Sequence, residues 1–305
     1  MKHRSRPRSR WISRLTVGLA AFSAAAVQAG ADPISAADET SDPATSKDKG
    51  RYSLFHPTPP ERMRELLPDR PDKTESPYTV DAGHFQLEMD FAKFVQDRSD
   101  RVHLRSWNLA PCNLKLGLLN NVDLQLVFDS SIHHRIEDRA VRSTTTRSGL
   151  GDVTTRLKIN LWGNDGGQTA FALMPFVKFP TASDQLGNDA VEGGVILPLA
   201  VQLPGGWGLG LMSECDFLRN DETSSYHSTF IHSITLGHDL FGKLGGFFEF
   251  FSEVSRARGS PWVGTVDLGL SYGLTENSQL DAGVNLGVTD SADDVNPFAG
   301  LTVRF

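Results

Sequence analysis

Between Asp152 and Trp162 the chain reads DVTTRLKINLW, and its residues sort strictly by turn. Val153, Thr155, Leu157, Ile159 and Leu161 form one set, and Asp152, Thr154, Arg156, Lys158 and Asn160 the other. Period two marks a β-strand with one apolar and one polar face. The pattern recurs as Phe85, Leu87, Met89 and Phe91 against His84, Gln86, Glu88 and Asp90. It returns as Val122, Leu124, Leu126 and Phe128 against Asp123, Gln125 and Asp129, with Val127 as an exception. Val266, Leu268, Leu270 and Tyr272 oppose Thr265, Asp267, Gly269 and Ser271, and Leu280 to Val288 alternate in the same way. Twelve such strands are predicted, near 83–96, 102–118, 122–130, 150–162, 168–180, 192–203, 206–218, 226–240, 243–255, 262–274, 278–289 and 296–305. Helical periodicity is absent from this region.

The connections alternate too. Those after the even segments are short: NN at 120, GNDGG at 163, PGG at 204, FGK at 241 and TENS at 275. Those after the odd segments are mostly longer and more polar, the longest running over 130–148. Short turns at one end and long loops at the other distinguish outer-membrane barrels. Trp162, Trp207 and Phe241 lie by short turns and Trp262 by a long loop, where interfacial aromatics belong. Nearly every segment alternates, and no other element is left to cover the apolar faces. A sheet closed on itself resolves this, because lipid solvates the outer face and closure satisfies every backbone N–H and C=O. The expected fold is therefore all-β: a transmembrane antiparallel up-and-down β-barrel of about twelve strands.

Composition adjusts the picture at the N-terminus. Hydrophobic residues make up 39% of 305 residues, which suits strands needing apolar side chains only at alternate positions. MKHRSRPRSRWISR, then LTVGLAAFSAAAV, then small residues near Ala29 and Ala31, read as a signal peptide over 1–31. Its removal takes six basic residues and no acid, moving the formal charge from −7 to −13 and arguing against a nucleic-acid partner. Residues 32–80 are rich in Pro, small and charged residues and are expected to be a disordered periplasmic segment with one short helix around Glu61–Leu67. The barrel then occupies 81–305. Cys112 and Cys215, in an exported chain, could form a disulfide, but they fall in strands far apart in order and are read as free thiols. The final strand, NPFAGLTVRF, sets Leu301, Val303 and the terminal Phe305 on one face, as in the C-terminal signal recognised by the barrel-assembly machinery.

RPDKTESPYTVDAGHFQLE, SGLGDVTTRLKINLWG, ALMPFVKFPTAS and GGVILPLAVQLPGGWGLGL together resemble the bacterial family called "putative MetA-pathway of phenol degradation" over most of residues 70–305. Gly151, Asp152, Arg156 and Lys158 match its Gly-Asp before a strand bearing an Arg and a Lys two residues apart. The resemblance implies an outer-membrane barrel of a Gram-negative-type bacterium with a role in uptake of aromatic or hydrophobic compounds. It supplies no catalytic residues. The partners expected are outer-membrane lipid and lipopolysaccharide, the assembly machinery and a small-molecule solute; no cofactor and no metal are expected.

In this register Glu88, Asp90, Asp123, Arg156, Lys158, Lys178, Glu214, Asp216, Glu249, Glu253, Asp267 and Asp281 face the lumen. They either select solutes or pair across a narrow interior and fill it. Glu214, Asp216, Glu249 and Glu253 are the best candidates for a cation-favouring patch. The 130–148 loop, with His133, His134, Arg135, Arg139, Arg142 and Arg147, is a candidate lid or a solvated surface loop that touches lipopolysaccharide. Phe251 and Phe298 break the polar face, with Trp107 a further candidate, and either line a greasy path or mark bulges; His232 falls on the lipid side, where a neutral imidazole is costly. No GxSxG elbow occurs, and no barrel His is followed two residues later by Ser, so an enzyme is not expected. A channel for passive uptake is the leading reading, a structural barrel with a filled lumen the second, and an outer-membrane lipolytic enzyme the third.

The face assignment predicts that Leu157→Arg costs about 2–4 kcal/mol near the bilayer midplane, whereas Lys158→Glu leaves folding nearly intact and shifts ion preference. Urea unfolding in lipid vesicles measures both; equal stability of the two variants contradicts the assignment.

Overall fold

The computed structural model describes residues 49–98, 102–183, 186–220 and 224–305. The expected signal peptide and residues 32–48 lie outside the described residues. The strand segments are β1 (Phe85–Arg98), β2 (Val102–Leu109), β3 (Cys112–Leu119), β4 (Val122–Phe128), β5 (Ser131–Asp138), β6 (Ser143–Gly149), β7 (Val153–Trp162) and β8 (Thr169–Phe179). There follow β9 (Glu192–Leu203), β10 (Trp207–Arg219), β11 (Tyr226–Phe241), β12 (Leu244–Ser255), β13 (Val263–Thr275), β14 (Ser278–Gly287) and β15 (Val295–Arg304). All pair antiparallel in one sheet, and β1 pairs with β15 to close it.

Three of the barrel's strands are interrupted. One half of β1 pairs with β3 and the other with β2, while β3–β4 and β2–β5 continue the same two ladders end to end. Ala110, at a φ of 51° before Pro111, makes the break between β2 and β3. With β2/β3, β4/β5 and β6/β7 each taken as one, the barrel has twelve strands, the number expected.

The two faces separate as the period-two pattern dictates. Leu126, Phe248, Leu268 and Leu270 are exposed on the outer wall. Lys158, Glu249, Asp267 and Asp123 on the inner wall have no accessible surface. Buried apolar side chains are few, and the largest group is Met174, Ile196 and Met212. The interior of this molecule is polar and its exterior apolar, which is stable only with hydrocarbon outside. It is a transmembrane β-barrel.

Two expectations are corrected. Residues 131–149, expected as a loop, form the hairpin β5–β6, which pairs with β2 and continues the wall outward. Beyond the hydrocarbon neither strand face needs to be apolar, so the alternation falls silent there; the run Thr144–Thr146 still favours strand. Residues 49–80, expected to be disordered, are ordered, and residues 58–82 include many buried groups inside the barrel. The helix expected around Glu61–Leu67 is only a 3-10 turn at Pro60–Arg62.

His232 keeps its outward position, and β10–β11 pairing is continuous through it. Its Nδ1 meets Ser213 Oγ at 3.0 Å, and Ser252, opposite on β12, accepts a hydrogen bond from Trp262 Nε1 at 2.9 Å. The imidazole thus sits in a polar strip running toward an interfacial Trp, which removes the cost of isolation in hydrocarbon. Phe251 and Phe298 face inward; the ladders beside Phe251 run without a slip, whereas β1 carries a bulge between Asp90 and Ala92, next to the Lys93–Phe298 pair.

Cys112 and Cys215 are free and stand on strands well separated around the barrel. Protein unfolded without reductant is expected to react with two equivalents of a thiol reagent; a disulfide-linked monomer contradicts this wall order.

Candidate functional site

The site is built on a segment that cannot be a strand. PDRPDKTESPYT, Pro68 to Thr79, has no apolar alternation, and three prolines deprive it of ladder donors. Its charges and remaining N–H groups need polar partners, and the lumen wall supplies them.

Asp69 gathers two cations: Lys115 Nζ at 2.5 Å and Lys158 Nζ at 2.6 Å. It also accepts from Ser76 N–H and Oγ, at 2.9 and 2.7 Å. Lys115 contacts Glu88 as well. Arg70 bridges Asp281 and Asp90, at 2.5 and 2.6 Å. Glu249 accepts the backbone N–H groups of Lys73 and Thr74, at 2.9 and 2.8 Å, and the Thr74 hydroxyl. Lys73 Nζ reaches Asp267 at 3.1 Å and Thr265 Oγ1 at 2.8 Å, while Glu75 pairs with Arg156 at 2.5 Å. Val80 N–H donates to Asp123 at 3.0 Å. At the short-turn end Arg64 binds Asp81 and Asp165, and Arg304 donates to the Arg64 carbonyl. The segment is therefore tied to β1, β3, β7, β12, β13 and β14, and the residues flanking it, Arg64 and Val80, to β15 and β4.

This electrostatic setting acts on the segment's own carboxyls. Burial alone would raise Asp69, but Lys115 and Lys158 hold it well below the ordinary carboxylate value. Burial and the nearby Glu249 push the Asp72 carboxyl well above it. Burial also raises Glu75, against the pull of Arg156.

Two spaces flank the segment's tip. Toward the short turns lies a cavity of about 360 Å³, walled by Pro71, Pro77 and Tyr78 and by the inner glycines of β10–β12. A Cβ added at Gly208 or Gly237 would meet nothing nearer than 4.0 or 3.8 Å. This cavity shares Asp239, Gly245 and Ser271 with a space of about 650 Å³ bordered by the short turns. On the other side lies a space of about 300 Å³ lined by Arg70, Lys73, Asp90 and Arg156. Asp72 and Glu75 line both it and the glycine-walled cavity, so they stand between the two.

The residues expected in the lumen meet different surroundings. Glu88, Asp90, Asp123, Arg156, Lys158, Glu249, Asp267 and Asp281 all engage the segment, directly or through Lys115. Lys178 pairs instead with Glu192. Glu214, Asp216 and Glu253 lie further toward the long loops, Glu214 and Glu253 level with each other across Ile231. The acidic patch expected from four residues is thereby reduced to three, because Glu249 holds the backbone of the tip. Lys115, Asp69, Arg70, Lys73 and Glu75 escaped sequence reasoning. A signal existed: the twelve candidates hold nine acids and only three bases, and a narrow lumen needs that excess neutralised. Phe251 and Phe298 carry the faces on which Lys73 and Arg70 rest, at 4.4 and 5.8 Å. Asp152, of the Gly-Asp pair, accepts the N–H groups of Thr181 and Ala182 and so fixes the loop after β8. Ser213 and His232 form a Ser–His pair across neighbouring strands, a spacing that no i, i+2 pattern along one strand contains; no carboxylate or amide contacts His232 among the described residues. Among the described residues no group of three or more His, Cys, Asp or Glu side chains is arranged for a metal ion.

A family model described as "Putative MetA-pathway of phenol degradation" matches residues 68–305, a span that begins with the lumenal segment. No curated protein matches the chain. Among solved structures, the COG4313 outer membrane channel from Pseudomonas putida F1 aligns with a TM-score of 0.53 at 12% identity, over 73% of this chain and 93% of that one. The NanC porin aligns at 0.44 and 10%, over 72% and 98%. The CymD monoaromatic hydrocarbon channel aligns at 0.41 and 8%, over 73% and 88%. The first of these shares the barrel fold.

The ion pairs correct one expectation and generate two others. Lys158→Glu sets a carboxylate against Asp69, so it disturbs folding as well as ion preference. Asp69→Ala leaves Lys158 without its ion-pair partner and Lys115 with Glu88 alone, and is expected to cost about 3–5 kcal/mol in urea unfolding. Asp72→Asn is expected to stabilise. Its carboxyl is raised in the folded state, so wild-type stability is lost as pH climbs above the ordinary carboxylate value, and the variant's advantage grows over that range. Melting temperatures from pH 4 to 8 check the sign; a constant difference, or one that shrinks with pH, contradicts it.

Proposed function

The chain belongs to the phenol-degradation MetA-pathway family, and from that premise we propose that it is an outer-membrane channel for passive uptake of small molecules. The passage runs beside the lumenal segment, along the glycine wall of β10–β12, and not down an open axis. The carrying observation is the chain of spaces on both sides of Asp72 and Glu75, divided only by the tip. Pro71, Pro77, Tyr78 and Phe247 line the narrow part beside bare backbone, which suits an uncharged solute with a flat apolar face, aromatic compounds included. Glu214, Asp216 and Glu253 near the entrance disfavour anions. Export through the signal at 1–31 and assembly through Leu301, Val303 and Phe305 belong to the same reading, with the short turns in the periplasm.

A second reading is supported by the density of ion pairs around the segment: a structural barrel whose lumen is filled by its own chain. Planar-bilayer recording separates the two. The channel reading expects defined conductance steps that fall in Gly208→Leu and Gly237→Leu, while both variants keep the heat-modifiable mobility of a folded barrel. Silence of the wild type across many preparations, or unchanged conductance in both variants, defeats the passage described.

A further inference from the structure

The outward face of β1, β2 and β5 at the long-loop end is graded from apolar to basic. On β2 the outward residues, from the barrel's middle outward, are Leu109, Trp107, Arg105 and His103; on β1 they are Ala92, Phe94, Gln96 and Arg98. On β5 they are Ser131, His133, Arg135 and Glu137. Leu109 and Trp107 are about half exposed, and Phe94 packs on Trp107 with ring centroids 4.6 Å apart. These aromatics mark the bilayer boundary. Two residues further out, about 7 Å along the strands, Arg105 stands directly opposite Arg135, and both are exposed.

Like charges directly opposite on neighbouring strands destabilise a sheet. Nothing nearby relieves Arg105: no carboxylate contacts it among the described residues. Arg135 has Glu137, at 2.9 Å. Asp138 is turned into the hairpin's own bend, accepting from Ala140 and Val141 N–H groups. Arg139 meets His103 Nδ1 at 3.2 Å, and Arg98 stands opposite His103 on the other side. An anion between Arg105 and Arg135 converts this repulsion into a pair of charge-assisted contacts. The height chooses the anion, because the guanidinium groups lie just outside an aromatic belt, where the phosphates of membrane lipids lie.

We propose that the outward face of β1, β2 and β5 binds a phosphorylated lipid of the outer leaflet. Arg105 and Arg135 clamp one phosphate, Arg98 and Arg139 add positive charge around it, and the acyl chains lie on Phe94, Trp107 and Leu109. This inference rests on the outer-membrane reading with the long loops outward, and it is independent of conduction.

The test is native mass spectrometry of the full chain in detergent, titrated with bisphosphorylated lipid A, with the same lipid stripped of phosphate, and with inorganic phosphate. The wild type is expected to retain one phosphorylated lipid. Retention is expected to fall about tenfold or more, a loss of about 1.4 kcal/mol, for the stripped lipid and for Arg105→Glu/Arg135→Glu. In lipid-free detergent Arg105→Gln is expected to melt no lower than wild type, because it removes a repulsion, yet to lose the rise in melting temperature that the phosphorylated lipid gives. A residue that merely supports the hairpin would lower melting with or without lipid. Failure of the wild type to retain the lipid, equal retention of the stripped lipid, undiminished retention by the double variant, or an equal rise with inorganic phosphate alone each overturns the proposal.

Discussion

The constraint from which this structure follows is the absence of water around its outer wall. In hydrocarbon a backbone N–H or C=O without a partner costs several kcal/mol, and only a closed ladder leaves none unpaired. Closure through β1 and β15 fixes an outside and an inside. Alternation then sends every second side chain into a confined lumen, where charges cannot remain bare. The inner wall of β1, β4, β7 and β10–β14 carries more acid than base, so the barrel needs cations from elsewhere. Lys115 supplies one from the wall, and Arg70 and Lys73 supply two from the lumenal segment. Asp69 then compensates the lysines gathered at β3 and β7. The segment is thus the counter-charge of the barrel as well as its filling.

That arrangement bears on transport. A segment held by ion pairs and by backbone donation to Glu249 is fixed at its tip, where Thr74 lies against Gly210, yet it leaves Gly208 and Gly237 uncovered. Small side chains on β10–β12 open a cavity of about 360 Å³ beside Pro71 and Tyr78. The proposed passage is narrow and mixed in character, with peptide and proline on one side and acids above. Such a lining discriminates by shape and charge and offers no tight site.

The barrel was legible because hydrocarbon imposes a rule on every second residue. Leu157 and Lys158 could be assigned to opposite faces from DVTTRLKINLW alone, and strand number followed from turn spacing. Legibility failed where that rule lapses. The β5–β6 hairpin rises beyond the apolar zone, so Thr144 and Arg147 carry no alternation to betray a strand. Residues 68–82 have the composition of a disordered linker, since a segment that folds into a polar lumen needs charges and prolines and no apolar stripe. Their order comes from partners distant in sequence, up to 176 residues away at Glu249 and 211 at Asp281. Pairs that form across strands, such as Ser213 with His232, are likewise invisible to a search along the chain.

The central claim is that this charged segment is seated inside the membrane-embedded barrel. Hydrogen–deuterium exchange of the full chain in nanodiscs measures it at single peptides. The account predicts that amides of Lys73, Thr74 and Val80, donated to Glu249 and Asp123, exchange as slowly as those of β10–β12. Complete exchange of residues 68–80 within seconds, with the strands still protected, would contradict it.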